Sequence, residues 1–333
     1  MEEHKELIHH NELSSDTKKS MKSRILVGVI LFITLVPLFI LGDYFFFALI
    51  LFICGVSTYE IIKAPQNETK KYDSWVYIIT YFVIFGSLLL LLISNNYNSG
   101  QILYNLINGF SHVEISLSIG TLIILPYLIL TIFDKKFSIT DALYFICFDV
   151  ILILGFSSLL FLRYAPINDF IKSNGASEIG LSVRFGSSIS LLLYLLIGVC
   201  FNDIFAYFTG VLFGKHKMCP NISPKKTWEG FIGGVIFSFI FSFLFAFLLA
   251  YFDYPIVSCL TLSKTYNIVI ISFIMPLIAT LGDLVFSSIK RHYNVKDFGT
   301  LLKSHGGALD RLDSILISSI VISCVIHLMT LSL

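Results

Sequence analysis

Apolar residues come in long runs separated by polar segments, and nine of these runs approach the length of a membrane span. They fall at 25–42, 44–62, 75–94, 115–133, 142–162, 186–202, 231–252, 266–286 and 314–333. A hydrocarbon core of ~30 Å is crossed by a helix of about 20 apolar residues. The pattern therefore predicts an all-α, polytopic integral membrane protein of about nine transmembrane helices. The first run follows 24 largely polar residues and has no small-residue cleavage site, so it reads as a retained helix behind a mobile tail, 1–23. The fifth run contains Asp149, and the sixth meets Asp203 before a further apolar stretch, Ile204 to Gly214. One of these two is a candidate for a broken or re-entrant helix.

Charge gives the runs a direction. Threading nine spans alternately with the N-terminus inside places 19 of the 23 Lys and Arg residues on the cytoplasmic side. That bias predicts a cytoplasmic N-terminus. Only 14% of the 333 residues are charged and the mean hydropathy is +0.84, which excludes a water-soluble globular enzyme. A net charge of +1 offers no bulk basicity for nucleic acid, and the six cysteines form no CxxC pair that would suggest zinc. Residues 24–185 read as plain transmembrane helices. Residues 186–333 read as the catalytic region, because the two cytoplasmic loops dense in functional residue types, 201–230 and 287–313, both lie there.

The first of these loops carries Asn202-Asp203, then Gly214-Lys215-His216-Lys217, then Ser223-Pro224-Lys225-Lys226-Thr227-Trp228-Glu229-Gly230. Ammonium groups with hydroxyls and glycine N–H groups suit a polyphosphate. The spacing after Gly210 is not that of a Walker A loop. The same lysines would also serve simply to fix topology.

The second constellation begins with Gly282-Asp283 near the end of an apolar run and continues through Ser287-Ser288-Ile289-Lys290-Arg291, Lys296-Asp297 and His305-Gly306-Gly307 to Asp310-Arg311-Leu312-Asp313. A carboxylate at membrane depth is expensive and is a functional candidate by default. Asp310 and Asp313, three apart, share one face if they open the last helix. With Asp283 they would offer three carboxylates to a hard cation such as Mg2+, which takes one or two carboxylates together with substrate phosphate. The alternative is an ion-pair network of Asp310 and Asp313 with Lys290 or Arg291 that seals the helix ends. Asp149 reads as a proton site or a helix-packing contact, and Glu60 as an interfacial anchor.

The second block, from Ser287 to Asp313, resembles the signature of the phosphatidate cytidylyltransferases, or CDP-diacylglycerol synthases. Ser223 to Gly230 and Asn202-Asp203 resemble that family's upstream motif, and Met21 to Arg24 with Tyr59-Glu60 has its bacterial look. The likeness covers roughly 21–333 and is dense over 200–315. One departure is Lys303-Ser304, where the family usually has Pro-Gly before His-Gly-Gly. The resemblance implies transfer of a cytidylyl group from CTP to phosphatidate, a membrane lipid, with release of pyrophosphate and a requirement for Mg2+, with room for a second cation. It also implies that Asp283 and Asp310 hold the ion, that Asp313 completes the acidic cluster, and that Lys226 stands close to the phosphates. The remaining motif residues are candidate substrate contacts: Asn202, Asp203, Ser223, Lys225 and Thr227 upstream, and Ser287, Lys290, Arg291, Lys296, Asp297, His305, Gly306, Gly307 and Arg311 downstream. A homodimer is compatible with such a chain, and the favoured setting is a bacterial plasma membrane, or the endoplasmic reticulum for a eukaryotic chain.

The rival readings are a CTP-dependent polyprenol or phytol-type lipid kinase, which would move the γ-phosphate instead, and a multi-span transporter. The transporter predicts charges spread through several spans, whereas here they gather at one edge of the C-terminal half.

Overall fold

The computed structural model of the chain describes residues 37, 43–66, 70–94, 112–174, 181–299, 301 and 306–331. The tail 1–23 lies outside the described residues, as do the first predicted span apart from residue 37 and the site candidate His305.

Among the described residues eight helices are long and apolar enough to cross a bilayer. They are α1 (Asp43–Lys63), α2 (Ser74–Ser94), α3 (His112–Phe133), α4 (Ile139–Asn174), α5 (Leu181–Phe213), α6 (Trp228–Tyr251), α7 (Thr265–His292) and α8 (Leu309–Leu331). A spanning segment has no water to satisfy its backbone, so it satisfies itself as a helix. The outer surface matches that setting: Phe52, Trp75 and Phe133 are 65%, 68% and 82% exposed, a display that suits lipid and would be a liability in water.

Neither of the two suspect spans is broken. Helix α4 runs unbroken for 36 residues and α5 for 33. Inside α4 the buried Asp149 accepts the Tyr127 hydroxyl of α3 on its Oδ2 at 2.5 Å, and its Oδ1 has no hydrogen-bond partner among the described residues. Helix α5 continues past Asn202-Asp203 to Phe213, so 201–213 is helical and not loop. Its far side remains apolar there, with Phe201 against Phe241 at 4.4 Å and Phe205 against Phe237 at 4.3 Å between ring centroids. The second loop shortens in the same way, because 287–292 ends α7 and 309–313 opens α8.

Helix α4 is the hub and touches α1, α2, α3, α5 and α8. In the C-terminal half, α5 and α6 pack along a buried stripe of Gly230, Gly234, Ser238, Ser242, Ala246 and Ala250. Residues four apart share a helix face, and small ones let two backbones approach closely in lipid. Ser238 Oγ crosses that seam to donate to Gly198 O at 2.5 Å.

Because consecutive helices run antiparallel, the ends of α1, α5 and α7 meet the starts of α4, α6 and α8 at one end of the bundle. An aromatic layer floors that end. Tyr144 of α4 stands 5.0 Å from Tyr293, Phe298 packs on Phe148 at 6.1 Å and on Phe286 at 6.0 Å, and the Tyr144 hydroxyl donates to Ile61 O of α1 at 3.0 Å.

Candidate active site

The connection from α5 to α6 is a two-stranded antiparallel hairpin, β1 (Lys217–Cys219) and β2 (Ser223–Thr227), with Lys217 opposite Thr227 and Cys219 opposite Ser223. Thr227 ends the strand and caps α6, its Oγ1 accepting the Gly230 N–H at 3.1 Å, as Thr does at a helix start. Outside the hairpin, His216 Nδ1 pairs with Glu229 Oε1 at 2.6 Å. Side chains alternate across a strand, so of two adjacent lysines one turns outward. Lys225 is exposed, whereas Lys226 Nζ reaches Asp283 Oδ2 of α7 at 2.7 Å.

Asp283 lies about two and a half turns before the end of α7, roughly 14 Å of helical rise. Its Oδ1 accepts the Ser287 hydroxyl at 3.2 Å. Across from it on α5, Asn202 is buried; its Nδ2 donates to Thr280 Oγ1 at 3.1 Å and to Asp203 Oδ1 at 3.5 Å. Its Oδ1 is buried without a partner among the described residues. Asp203 is exposed and lies within the electrostatic reach of both Asp283 and Lys226. Asp313 likewise senses Asp283 and Asp203. Asp203, Asp283 and Asp313 thus come from three helices and face a common region.

A second cluster sits where α8 begins. Lys290 is buried, with its Nζ 2.9 Å from Asp310 Oδ1, 4.0 Å from Asp313 Oδ2 and 5.6 Å from the centre of the Phe298 ring. Asp310 Oδ2 accepts the N–H groups of Phe298 at 2.8 Å and Gly307 at 2.9 Å. Asp313 Oδ1 accepts its neighbour Ser314 N–H at 2.7 Å. A carboxylate in the first turn of a helix also meets the positive end of the helix dipole. Gly306 has φ +80, a left-handed conformation that strongly favours glycine, and Gly307 presses on the carboxylate of Glu60 so closely that a Cβ would collide with it.

The sequence-predicted residues therefore divide. Lys226, Asp283 and Ser287 form one contact group with Asn202 and Asp203 beside it, and Lys290, Asp310, Asp313, Gly306 and Gly307 form another. Lys225, Arg291, Lys296, Asp297 and Arg311 are exposed on the rim and Ser223 is half-buried in β2. Arg291 is used structurally, its Nε donating to Ile222 O of the hairpin turn at 3.3 Å.

Among the described residues no three carboxylate, imidazole or thiolate groups stand together as a ready metal cage. Lys226 and Lys290 are instead paired with the aspartates, at 2.7 Å from Asp283 and 2.9 Å from Asp310. Sequence reasoning missed the partners Thr280 and Ser314, and it read Glu60 only as an anchor. Glu60 instead accepts the N–H groups of Ala308 and Leu309, each at 2.9 Å.

Residues 22–329 match the sequence profile of the Cytidylyltransferase family. A phosphatidate cytidylyltransferase of Bacillus subtilis (strain 168) is 31% identical over 302 residues, 89% of this chain and 94% of the relative. One of Staphylococcus haemolyticus is 30% identical over 298 residues, 88% of this chain and 94% of the relative. One of Mycobacterium leprae is 40% identical over 169 residues, 47% of this chain and 50% of the relative.

Proposed function

The chain belongs to the cytidylyltransferase family, and on that premise we propose that it transfers the cytidylyl group of CTP to phosphatidate, giving CDP-diacylglycerol and pyrophosphate. The observation that carries the reading is the junction of Lys226 with Asp283 toward one end of the membrane bundle. There a water-borne polyphosphate can meet a lipid headgroup whose acyl tails remain in the membrane.

An oxygen of the phosphatidate monoester attacks the α-phosphorus of CTP. The bond from that phosphorus to the bridging oxygen breaks, and pyrophosphate leaves with the electron pair. The attacking oxygen is already anionic, so the chain need supply neither a nucleophile nor a strong base. What remains is alignment and charge neutralisation. Lys226 is placed to exchange its contact with Asp283 for a phosphate oxygen. Lys225, on the outward face of β2, meets the polyphosphate from solution, and Lys290 with its buried partner holds the acidic turn of α8 in place.

The donor set suits a divalent cation. Asp203, Asp283 and Asp313 turn carboxyl groups from three helices toward a common region, and hard carboxylate oxygens are what Mg2+ prefers. Asp283 and Asp313 would hold it with Asp203 alongside, while Asp310, whose oxygens are taken by Lys290 and by the N–H groups of Phe298 and Gly307, anchors the turn that carries Asp313. When bound, such an ion neutralises charge on the reacting phosphates. The bacterial relatives support a plasma-membrane setting. The basic segments Lys70-Lys71, Lys135-Lys136 and Lys215 to Lys226 gather at the same end of the bundle as the site, which supports a cytoplasmic face for it. Residues 186–333 supply the chemistry in this reading, and 24–185 the frame.

The test uses purified protein in lipid micelles with CTP labelled separately at its α- and γ-phosphates. We expect α-label in the lipid product and pyrophosphate release that requires phosphatidate and Mg2+ together. Lipid carrying γ-label, with CDP released, would make the protein a lipid kinase and overturn the proposal.

A further inference from the structure

Glu60 lies near the end of α1, outside both clusters of motif residues, and is 3% exposed. Its carboxylate divides between two backbone donors, with Oε1 accepting Ala308 N–H and Oε2 accepting Leu309 N–H, both at 2.9 Å. These are among the otherwise free donors at the start of α8, the kind of group a carboxylate satisfies well. The capping group comes from 248 residues away, and a tertiary contact of that separation ties the first described helix to the last. Gly299 and Gly307 both lie flat against the same carboxylate, where a Cβ on either would collide with it. Glu60 is itself on a firm base: the next residue, Ile61, accepts the Tyr144 hydroxyl of α4 at 3.0 Å, and both Ile61 and Ile62 are fully buried.

The two ends of this arrangement interlock. Gly307 N–H goes to Asp310 and the adjacent Ala308 N–H goes to Glu60, so one short stretch of backbone is held from opposite sides. We propose that Glu60 is a positioning residue: its buried carboxylate caps α8 and clamps the Gly299 and Gly307 backbones, fixing where Asp310 and Asp313 stand relative to Lys290. The inference rests on the reading of Asp310 and Asp313 as parts of the site. It makes the N-terminal helices a working part of that site without any contact to substrate.

Full-length Glu60→Ala, Glu60→Gln, Gly299→Ala and Glu60→Ala/Gly299→Ala proteins test this by kcat, by KM for CTP, and by the rise in unfolding temperature on adding CTP with Mg2+. Glu60→Ala is expected to lower kcat at least tenfold and to shrink the CTP-induced rise. Glu60→Gln, which keeps one acceptor, should fall between it and the wild type. Gly299→Ala should cause a loss by displacing the carboxylate, but should add nothing in the Glu60→Ala background, where the colliding side chain is gone. Wild-type kcat in Glu60→Ala, or losses that multiply in the double variant, would overturn the inference. If Glu60→Ala does not fold, Glu60→Gln decides: a fall in kcat and in the CTP-induced rise at an unchanged nucleotide-free unfolding temperature supports the clamp, and a lowered unfolding temperature with wild-type kcat overturns it. Indifference of the enzyme to Asp310→Asn and Asp313→Asn would instead overturn the underlying reading of the site.

Discussion

The Lys226–Asp283 and Lys290–Asp310 pairs carry the same charges at nearly the same separation, 2.7 and 2.9 Å, yet their side chains are 25% and 31% exposed in the first pair and 10% and 6% in the second. Exposure changes what a pair is for. A solvent-touched pair contributes at most about 1 kcal/mol, so Lys226 can leave Asp283 for an incoming phosphate at little cost. A buried pair cannot be opened in that way, because removing one partner strands the other and costs about 3–5 kcal/mol. Asp310 is held further by two backbone N–H groups, whereas among the described residues Asp283 has a Ser287 hydroxyl besides its lysine. The site therefore has a responsive mouth, between hairpin and α7, and a fixed foot, at the start of α8.

The contrast can be broken most forcefully at the foot. Lys290→Met should destabilise the protein by about 3–5 kcal/mol, measured as unfolding in detergent by denaturant or heat, and adding Asp310→Leu should recover part of that loss. A full-strength loss in the double variant would show that the pair is not what holds the foot. At the mouth, Asp283→Asn should reduce CDP-diacylglycerol formation by about 100-fold or more while leaving the fold intact. Lys226→Met should cost roughly 10- to 100-fold in kcat/KM, the worth of one charge-assisted contact of about 1.5–3 kcal/mol, with less than about 1 kcal/mol in stability. Lys225→Ala, on the outward face of the same strand, should lower kcat/KM by less than about threefold. An equal loss at Lys225 and Lys226 would mean that the hairpin acts as diffuse positive charge, without the strand alternation that separates the two.

Much of this arrangement was legible in the residues alone. Hydropathy located the described helices to within a few positions at most ends, because lipid demands the same run length of each. It failed at 201–213, where Asn202-Asp203 looks like a loop. A helix buries polar groups on one face only, and there Asn202 turns to Thr280 while Phe201 and Phe205 stack on α6. The motif residues announced themselves by clustering. Lys290 reads both as a substrate contact and as the partner of Asp310 and Asp313 in an ion-pair network; the network forms, and what the spacing does not reveal is its burial beside Phe298. Gly306 and Gly307 read as substrate contacts, and the fold adds a backbone role that the motif does not show: one supplies a left-handed turn and the other makes room for Glu60. The capping role of Glu60 could not be found by pattern, since its partners are backbone N–H groups, which any residue type except proline would offer.

The most direct test of the division between mouth and foot is the thermal unfolding of Asp283→Asn and Asp310→Asn, each measured with and without CTP and Mg2+. Asp283→Asn is expected to unfold within about 2 °C of the wild type without nucleotide and to lose the rise that nucleotide brings, whereas Asp310→Asn should unfold roughly 5 °C or more below the wild type even without nucleotide. The reverse pattern, a nucleotide-free loss in Asp283→Asn and none in Asp310→Asn, would contradict the account.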